Sequence, residues 1–375
     1  MKQLTGLVFI TFLSFQLSAQ DINIINNNVI FTTFPELEFD YDIRSIGFGT
    51  INAVNPHHNT AALSFSNPAL FASSKKKWAN AFNYHFLSGE RYSFSAQIAR
   101  KVNRKNSLGL LLKNYTNNTI YPLTFLDGTT VETYGTKLST LGLYWGHRFN
   151  KNWSIGLGGS YLHAPNPFEN LNPTMTTENI NTYFFDLGLH YKTRFKLSEN
   201  HKLTLQSGLT INNLGPKASY WKTNAVQNSM PTNLALGLAL THSVKIGDGN
   251  LYTTLGYQPQ KLLVPTPSDI DDDGNGLPDF WELSIWEGIV TSFSDAPLGT
   301  KEELDEITHK LALELTYKIK KWEIGLRAGG FNEAIYKGNR RYRSFGASLG
   351  YNGYLINYSY QNVFGTHSLG CSMNI

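Results

Sequence analysis

Segments in which apolar and polar side chains alternate run through this chain from Trp78 to its last residue. Successive side chains of an extended strand point to opposite faces, so each segment predicts a strand with one apolar and one polar face. The last segment is the clearest, because Leu369, Cys371, Met373 and Ile375 alternate with small or polar residues. The pattern predicts an all-β protein.

The segments predict fourteen strands, separated by residues that favour turns and loops. They lie near residues 78–87, 91–102, 107–118, 131–149, 152–163, 180–195, 201–213, 231–245, 251–258, 308–319, 322–332, 341–351, 354–361 and 367–375. Bacterial outer-membrane barrels made from one chain have an even number of antiparallel strands. The number of segments therefore favours a closed barrel.

The connections between the predicted strands sort by length. Those after the even-numbered strands are short: Asn103-Arg104-Lys105-Asn106, Asn150-Lys151, Glu199-Asn200, Gly247-Asp248-Gly249, Lys320-Lys321 and Asn352-Gly353. Most of the others are longer, and the loop 258–306 is the longest. Outer-membrane barrels have short periplasmic turns and long extracellular loops, so we expect both ends of the barrel 78–375 on the periplasmic side. A secreted β-sandwich or propeller, the alternative fold, gives no reason for this sorting.

Composition and the placement of aromatic residues agree with a membrane barrel. After the N-terminus, no run reaches the ~20 apolar residues of a spanning helix. A β-protein can cross hydrocarbon only as a closed ring, which leaves no backbone group unpaired. Aromatic residues stand near many predicted strand ends, where an interfacial girdle would need them: Trp78, Tyr92, Tyr144, Trp145, Trp153, Tyr161, Trp322, Tyr351 and Tyr354. The predicted fold is a fourteen-stranded transmembrane antiparallel β-barrel.

The N-terminus predicts export. Residues 1–19 have a basic start, an apolar stretch and small residues before a cut after Ala19, which is the pattern of a secretory signal peptide. A buried N-terminal strand or helix is the alternative. Residues 20–77 then precede the first strand, and we expect them to fold into the lumen as a hatch or plug, since fourteen strands enclose a space too wide for their own side chains. Cys371 is the only cysteine, so no internal disulfide forms.

The long loop 258–306 is acidic and contains one specific motif. It holds twelve acidic and two basic residues, whereas the whole chain carries a net charge of +4. Residues 271–282 fit the twelve-residue calcium-loop pattern, in which Gly276 allows the sharp turn. The expected ligands are Asp271, Asp273, Asn275, the carbonyl of Leu277, Asp279 and Glu282. Because no flanking helix pair is evident, we expect structural calcium that stiffens the loop. A solvated acidic loop without an ion is the alternative.

The sequence gives no catalytic or nucleic-acid signature. It contains no Walker loop, HExxH or GxGxxG motif. No basic cluster is interleaved with aromatic residues at a recognisable spacing, so nucleic acid is not an expected partner. We therefore predict that the protein is not an enzyme.

Several stretches resemble the PorV family, the outer-membrane component of the type IX secretion system within the wider group of FadL-like barrels. They are Asp42-Ile43-Arg44-Ser45-Ile46-Gly47-Phe48-Gly49, Ser66-Asn67-Pro68-Ala69, Asn213-Leu214-Gly215-Pro216-Lys217, Met230-Pro231-Thr232-Asn233-Leu234, Thr291-Ser292-Phe293-Ser294-Asp295-Ala296-Pro297, Lys301-Glu302-Glu303-Leu304 and Lys337-Gly338-Asn339-Arg340-Arg341. Asn67, Pro68 and Ala69 match the hatch motif of FadL-like barrels, with Ser66 in place of the usual Trp. The Ser292–Pro297 and Lys337–Arg341 stretches are the most specific of these matches.

The resemblance implies the outer membrane of a Gram-negative bacterium and a role in protein secretion. A PorV-like protein binds the C-terminal signal domain of secreted proteins at the large translocon barrel and carries them to the surface attachment complex. We expect the cargo face in the loops 258–306, 214–230 and 333–340, within a barrel surrounded by outer-membrane lipid. The segment before Asp42 and the final Ile375 depart from the family's wording, which is compatible with a specialised paralogue. A FadL-like transporter of hydrophobic small molecules is the alternative function.

Overall fold

A computed structural model describes residues 28–54, 65–73, 77–124, 130–168, 177–222 and 227–374. The predicted signal peptide, residues 1–19, lies outside these ranges. None of the described helices is long and apolar enough to cross a membrane. The longest of them is the seven-residue helix Ile285–Thr291.

Fourteen antiparallel strands form a closed barrel, as predicted, and the first strand, Trp78–Leu87, pairs with the last, Thr366–Asn374, to complete the ring. Each barrel strand pairs with the next barrel strand in the chain, and Asn106–Asn117 pairs with Lys137–Arg148 although two short strands lie between them in sequence. The barrel strands are β1 Trp78–Leu87, β2 Arg91–Lys101, β3 Asn106–Asn117, β6 Lys137–Arg148, β7 Trp153–Ala164, β8 Ile180–Lys196, β9 His201–Leu214, β10 Asn233–Ile246, β11 Gly249–Leu262, β12 Thr308–Ile319, β13 Trp322–Asn332, β14 Arg341–Tyr351, β15 Tyr354–Gln361 and β16 Thr366–Asn374.

The segment predicted as one strand over 131–149 is two strands, so that prediction was wrong. β4 Ile120–Thr124 and β5 Thr130–Tyr134 form a separate two-stranded sheet, and β6 begins at Lys137. The break falls at Gly135, where a Cβ atom would lie 2.3 Å from the side chain of Asn117. These two strands therefore lie in the connection between β3 and β6.

β11 was also predicted too short, ending at 258 where the structure continues it to Leu262. Pro259 has no backbone N–H to donate. The ladder to β10 skips Leu236 and Gly237 beside it and resumes where Ala235 pairs with Gln260. The strand therefore passes the proline, and the long loop proper covers residues 263–307.

The two faces of the wall have opposite chemistry. Outward side chains are large, apolar and exposed, as at Leu143 and Leu326, which are 68% and 60% accessible. Inward side chains are polar and buried, including Gln206 and Glu314. Exposed apolar residues over a whole barrel surface suit hydrocarbon and not water.

Most of the predicted girdle aromatics lie on the outward face near strand ends, among them Trp153, Trp322 and Tyr354. Tyr144 is the exception, and its assignment to the girdle was wrong. It is buried inside the barrel, where its hydroxyl donates to Asp186 at 3.0 Å. Since adjacent strand residues face opposite ways, Tyr144 and its neighbour Trp145 cannot both face outward.

Short turns join the strands at one end of the barrel, and the long connections join them at the other. The connection from β10 to β11 consists of Gly247 and Asp248, and that from β12 to β13 of Lys320 and Lys321. At the opposite end, 263–307 connects β11 to β12. We call these the turn end and the loop end.

The N-terminal segment contacts inward-facing side chains around the ring. It contains the 3-10 turn Pro35–Glu38, the short helix Ile43–Gly47 and the 3-10 turn Pro68–Ser73. The helix packs against β13 to β16, whereas Pro68–Ser73 packs mainly against β6, β7 and β8. Asp42 caps the helix by accepting the N–H of Arg44 at 2.9 Å.

Candidate functional site

The long loop 263–307 is ordered by short helices. A 3-10 turn, Asp279–Trp281, is followed by the helices Ile285–Thr291 and Thr300–Asp305. Ser284 and Glu287 form a capping box, in which each side chain accepts the other residue's backbone N–H. Gly288 packs on Pro265, and a Cβ atom there would approach the proline ring to 2.9 Å. The first helix is therefore fixed by its cap and by this close contact.

The base of the loop is held by a buried ionic cluster, which we call the anchor network. It consists of Lys261, Glu302, Glu303, Glu306 and Lys337. The Lys337 ammonium donates to Glu302 at 2.6 Å and to Glu306 at 2.9 Å. Lys261 binds Glu306 and lies 3.2 Å from Glu303. Two lysines from outside the loop thus hold three of its carboxylates.

Further hydrogen bonds join the anchor network to the rest of the chain. Thr266 donates its hydroxyl to Glu306 at 2.6 Å, and Asn28 donates its amide to Glu302 at 3.1 Å. The Thr266 backbone N–H donates to Asp295 at 3.1 Å. Burial raises the pKa of Asp295 to about 6, and the nearby Glu306 adds to this shift. The Asp295 and Lys301–Leu304 stretches of the family motif therefore belong to the fold of the loop base.

The structure brings together the three loops predicted as the cargo face. Lys337, in the connection 333–340, binds the anchor network, and Lys217, after β9, donates to the carbonyl of Trp281 at 2.9 Å. Arg340 pairs with Glu333 at 2.7 Å and with Glu38 of the N-terminal segment at 2.7 Å. These contacts make the loops one unit, but they do not test whether cargo binds there.

Above the anchor network the loop exposes large apolar side chains, which we call the apolar set. Trp286, Val290, Phe293, Leu298 and Leu304 are 67%, 72%, 53%, 65% and 60% accessible. Trp286 and Val290 are four residues apart, so they share a face of the helix Ile285–Thr291. Exposed apolar residues on an ordered water-facing loop are typical of a protein-binding surface.

The predicted calcium ligands lie close together at the tip of the loop. Carboxylate oxygens of Asp271, Asp273 and Asp279 lie within 4.8 Å of one another. The Asn275 amide donates to Asp273 at 3.0 Å and to Glu282 at 2.8 Å, which brings the last predicted ligand to the cluster. No contact of the Leu277 carbonyl is among these interactions, although its N–H donates to Asn275 at 2.8 Å.

The backbone of residues 271–282 also has the form that a calcium loop needs. Gly274 and Gly276 have φ of 69° and 87°, the left-handed region that glycine adopts most easily. The Gly276 N–H donates to Asp271 at 2.9 Å, and this hydrogen bond is the main reason that the pKa of Asp271 lies below its usual value. Ionised carboxylates and amide oxygens are hard donors, so the residues fit calcium.

The hatch motif forms a tight turn against the wall. Asn67 donates to the carbonyl of Ala53 at 2.6 Å and accepts the N–H of Ala69 at 3.0 Å. The facing wall residues are Gly156 and Gly188, which are paired across β7 and β8. A Cβ atom at either glycine would come within 2.1 Å of the turn. This glycine pair was missed in the sequence. Glycines at inward positions of two neighbouring strands would have indicated a close contact with the wall.

A buried triad also escaped sequence reasoning. Glu314 of β12 accepts from Arg44 of the N-terminal helix at 2.5 Å and from Arg327 of β13 at 2.9 Å. Arg327 also donates to Asn357 at 3.2 Å. Arg44 and Glu314 are 270 residues apart, so no local pattern relates them. The triad fixes the short helix to the wall.

Comparison with known proteins identifies the family through sequence. The model of the family described as "Type IX secretion system protein PorV" matches residues 22–269, about two thirds of the chain. No curated protein matches the chain.

The structural neighbours are membrane barrels. A monoaromatic hydrocarbon channel, the TodX deltaS2S3 mutant, is 10% identical, with a TM-score of 0.47 over 90% of this chain and 100% of that one. The CymD monoaromatic hydrocarbon channel is 12% identical, with a TM-score of 0.45 over 88% and 96%. A Pseudomonas aeruginosa FadL homologue is also 12% identical, with a TM-score of 0.42 over 88% and 98%. Similarity at this level says nothing about function.

Proposed function

The chain belongs to the PorV family of type IX secretion system proteins, and from this membership we propose that it binds the C-terminal signal domain of secreted proteins and carries them from the translocon barrel to the surface attachment complex. It is an outer-membrane protein of a Gram-negative bacterium and a component of that secretion system. The turn end then faces the periplasm and the loop end faces outward.

The observation that carries the proposal is the exposed apolar set on an anchored loop. Trp286 and Val290 remain accessible although the base of their loop is pinned by buried ion pairs. A pinned loop loses little conformational freedom on binding, so more of its contact energy appears as affinity. The cargo domain would meet Trp286, an anchor of the kind common at binding hot spots.

The first test is purification from the native outer membrane in mild detergent. We expect the wild-type protein to bring with it the translocon barrel and surface proteins that share a C-terminal signal domain. The triple variant Trp286→Ser, Val290→Ser, Phe293→Ser should retain the barrel partner and lose the cargo proteins. The matched control Ile270→Ser, at another exposed apolar position of the same loop, should retain both. Recovery of cargo with the triple variant would refute the assignment of this surface.

A FadL-like transporter of hydrophobic small molecules is the second candidate function. A cavity of about 310 Å³ between the N-terminal segment and β11 to β13 favours it, because Ile30, Leu262 and Phe331 are among its lining residues. Glu306, Lys337 and Arg340 also line this cavity, and they suit a fully apolar ligand poorly. Protein purified alone, with lipid-like small molecules bound, would favour the transporter.

We propose that residues 271–282 bind a structural calcium ion. Asp271, Asp273, Asn275, Asp279 and Glu282 would supply side-chain oxygens, and Leu277 its carbonyl. The ion would offset the repulsion among the carboxylates and stiffen the loop tip. Calorimetric titration of the metal-free protein should show one site for calcium. No heat of binding at millimolar calcium would contradict this assignment.

We also propose that the N-terminal segment is a plug that blocks the lumen. The triad at Arg44 supports this role, because it fixes the segment to the wall strands β12 and β13. Arg44→Met removes the ion pair between the N-terminal helix and Glu314 and should loosen the plug, so single barrels in a planar bilayer should conduct more ions than wild type. The control Arg91→Met changes an arginine at the first position of β2, whose side chain bonds Ser88, and should leave the current unchanged. Equal currents for wild type and Arg44→Met would argue against a plug.

A further inference from the structure

The turn end of the barrel carries a concentrated positive charge on strands β8 to β13, which we call the basic arc. Its members are Lys192, Arg194, Lys196, Lys202, Lys245, Lys318, Lys320 and Lys321. The acidic residues in the same stretches of wall and turn are Glu199, Asp248 and Glu323. The arc is therefore strongly basic, in contrast to the acidic loop at the other end.

The strand members of the arc line the mouth of the lumen. Lys192, Arg194 and Lys196 continue the inward series of β8, which includes the buried Asp186 and His190. The outward positions between them are Thr193 and Phe195. Near the same mouth, a cavity of about 310 Å³ is lined by Arg44, Lys318, Lys320, Lys321 and Glu323, among others. The charges therefore face the aqueous opening, on the opposite face of the wall from the lipid.

The pairing within the arc is unfavourable for folding. Lys196 of β8 lies directly opposite Lys202 of β9. Like charges directly opposite in an antiparallel pair destabilise a sheet. The charge of Lys318 is balanced by Glu323 at 2.7 Å. Lys202 instead lies between Lys196 and the uncharged Ser243 of β10. A charge pair that costs stability needs a reason outside the fold.

We propose that the basic arc is a docking surface for an extended acidic segment of a periplasmic protein. Six neighbouring strands at the usual spacing span about 24 Å, the length of roughly seven residues of extended chain. This span is longer than a single phosphate or lipid headgroup, and it matches the length over which carboxylates repeat along a polypeptide. The chain's own acidic loop cannot be the occupant, because it lies at the opposite end of the barrel.

Anionic phospholipid is the competing occupant, and the strand alternation disfavours it. At the level of the arc, the outward positions include Phe195, Leu197 and Ile246, which suit acyl chains and the interface. The cations occupy the other face. Lipid headgroups would therefore meet the apolar side of these strands.

The test uses purified full-length protein in phosphatidylcholine nanodiscs, which leave both ends of the barrel accessible. The probe is a fluorescein-labelled decapeptide of alternating Asp and Glu, with an Asn/Gln decapeptide as its neutral match. We expect fluorescence anisotropy to show binding of the acidic peptide alone, weakened at least tenfold between 50 and 300 mM salt because the contacts are ionic. No binding at 50 mM salt would overturn the proposal.

Variants of the arc supply the matched controls. The triple variant Lys196→Gln, Lys202→Gln, Lys245→Gln should bind at least tenfold more weakly, whereas the same three changes to Arg should bind like wild type. Lys222→Gln with Lys301→Gln, at the loop end, should also bind like wild type. Heat-modifiable mobility in gels verifies that each variant is a folded barrel. Equal affinity of the folded Gln variant and wild type would overturn the proposal.

Two further measurements separate docking from a structural role and from lipid binding. Lys202→Glu creates an ion pair with Lys196, so it should keep or raise the melting temperature while it weakens peptide binding. A lower melting temperature with unchanged peptide affinity would assign Lys202 to the fold and refute docking. In nanodiscs that contain phosphatidylglycerol, peptide affinity should stay within about threefold of its value in phosphatidylcholine nanodiscs. Abolition of peptide binding by that lipid would assign the arc to headgroups instead.

Discussion

The base and the tip of the long loop are both rich in carboxylates, but they differ in how those carboxylates are stabilised. At the base, Glu302 and Glu306 are buried and held by Lys337 at 2.6 and 2.9 Å. At the tip, Asp271 and Asp273 lie at the surface and accept hydrogen bonds from backbone N–H groups and from Asn275. Among the described residues, neither of these two aspartates forms an ion pair.

Carboxylates of one loop are therefore stabilised in two different ways. The base carries its counterions within the chain, so its geometry is fixed whenever the barrel is folded. At the tip the carboxylates are held by hydrogen bonds from the backbone and from Asn275. We propose that a calcium ion from solution adds to this order. The apolar set follows the tip in the chain and lies close in sequence to Glu302 and Glu306. Both regions therefore affect how rigid the apolar set is.

The largest effect should come from removing a counterion at the base. Lys337→Met leaves Glu302 and Glu306 buried side by side, and breaking such a buried pair costs about 3–5 kcal/mol. The loop should open more often, so chymotrypsin should cut at its Trp and Phe residues about a hundredfold faster. Limited proteolysis of protein in nanodiscs measures this rate.

Two controls define the role of Lys337. Lys301→Met, at an exposed lysine of the same loop, should leave the cleavage rate within twofold of wild type. Adding Glu302→Gln to Lys337→Met should recover part of the protection, because one buried charge is removed. Unchanged cleavage of Lys337→Met would show that the base does not hold the loop.

A smaller effect should follow from changing the tip. Asp271→Asn with Asp273→Asn removes two charges from the proposed calcium ligands, and we expect at least about tenfold weaker calcium binding. Calcium should slow chymotrypsin cleavage at Phe280 and Trp281 in wild type and not in this double variant. Asp269→Asn, just before the motif, is the matched control and should respond to calcium like wild type. Calcium protection of the double variant would contradict the ligand assignment.

The smallest effect should be a dependence of the loop on pH. Burial raises the pKa of Asp295 to about 6, above its usual value of 3.8. The closed loop therefore binds a proton more tightly than the open one, and its stability is lost as pH rises through about 6. Cleavage should be slower at pH 5.5 than at pH 7.5, after correction with an unfolded substrate. Asp295→Asn should flatten this difference, and an unchanged pH profile would show that another group is responsible.

The strands were predictable because alternation is a local property. Leu369, Cys371 and Met373 reveal their face without reference to any other part of the chain. The split of 131–149 was missed because Thr130–Tyr134 is rich in residues that favour strands, although it pairs with β4 and not with the wall. Tyr144 was assigned to the wrong face because the alternation of inward and outward positions along β6 was not considered.

The site was predictable where its residues are close in sequence and hidden where they are not. The twelve-residue motif identified a cluster that includes Asp271, Asp273 and Asp279, which the fold brings together. Lys337 and Glu306 are 31 residues apart, and Asn28 and Glu302 are 274 apart. Such pairs depend on barrel closure, which single-sequence reasoning does not resolve to individual side chains. The anchor network could therefore be found only in the structure.

The most direct test of the account is the affinity of the purified protein for an isolated C-terminal signal domain. Wild type and the triple variant Trp286→Ser, Val290→Ser, Phe293→Ser would be compared in nanodiscs by biolayer interferometry, with Ile270→Ser as control. We predict saturable binding by wild type and by the control, and at least a tenfold loss in the triple variant. Equal binding by all three would contradict the claim that the apolar set holds cargo, and no binding by wild type would contradict the cargo function itself.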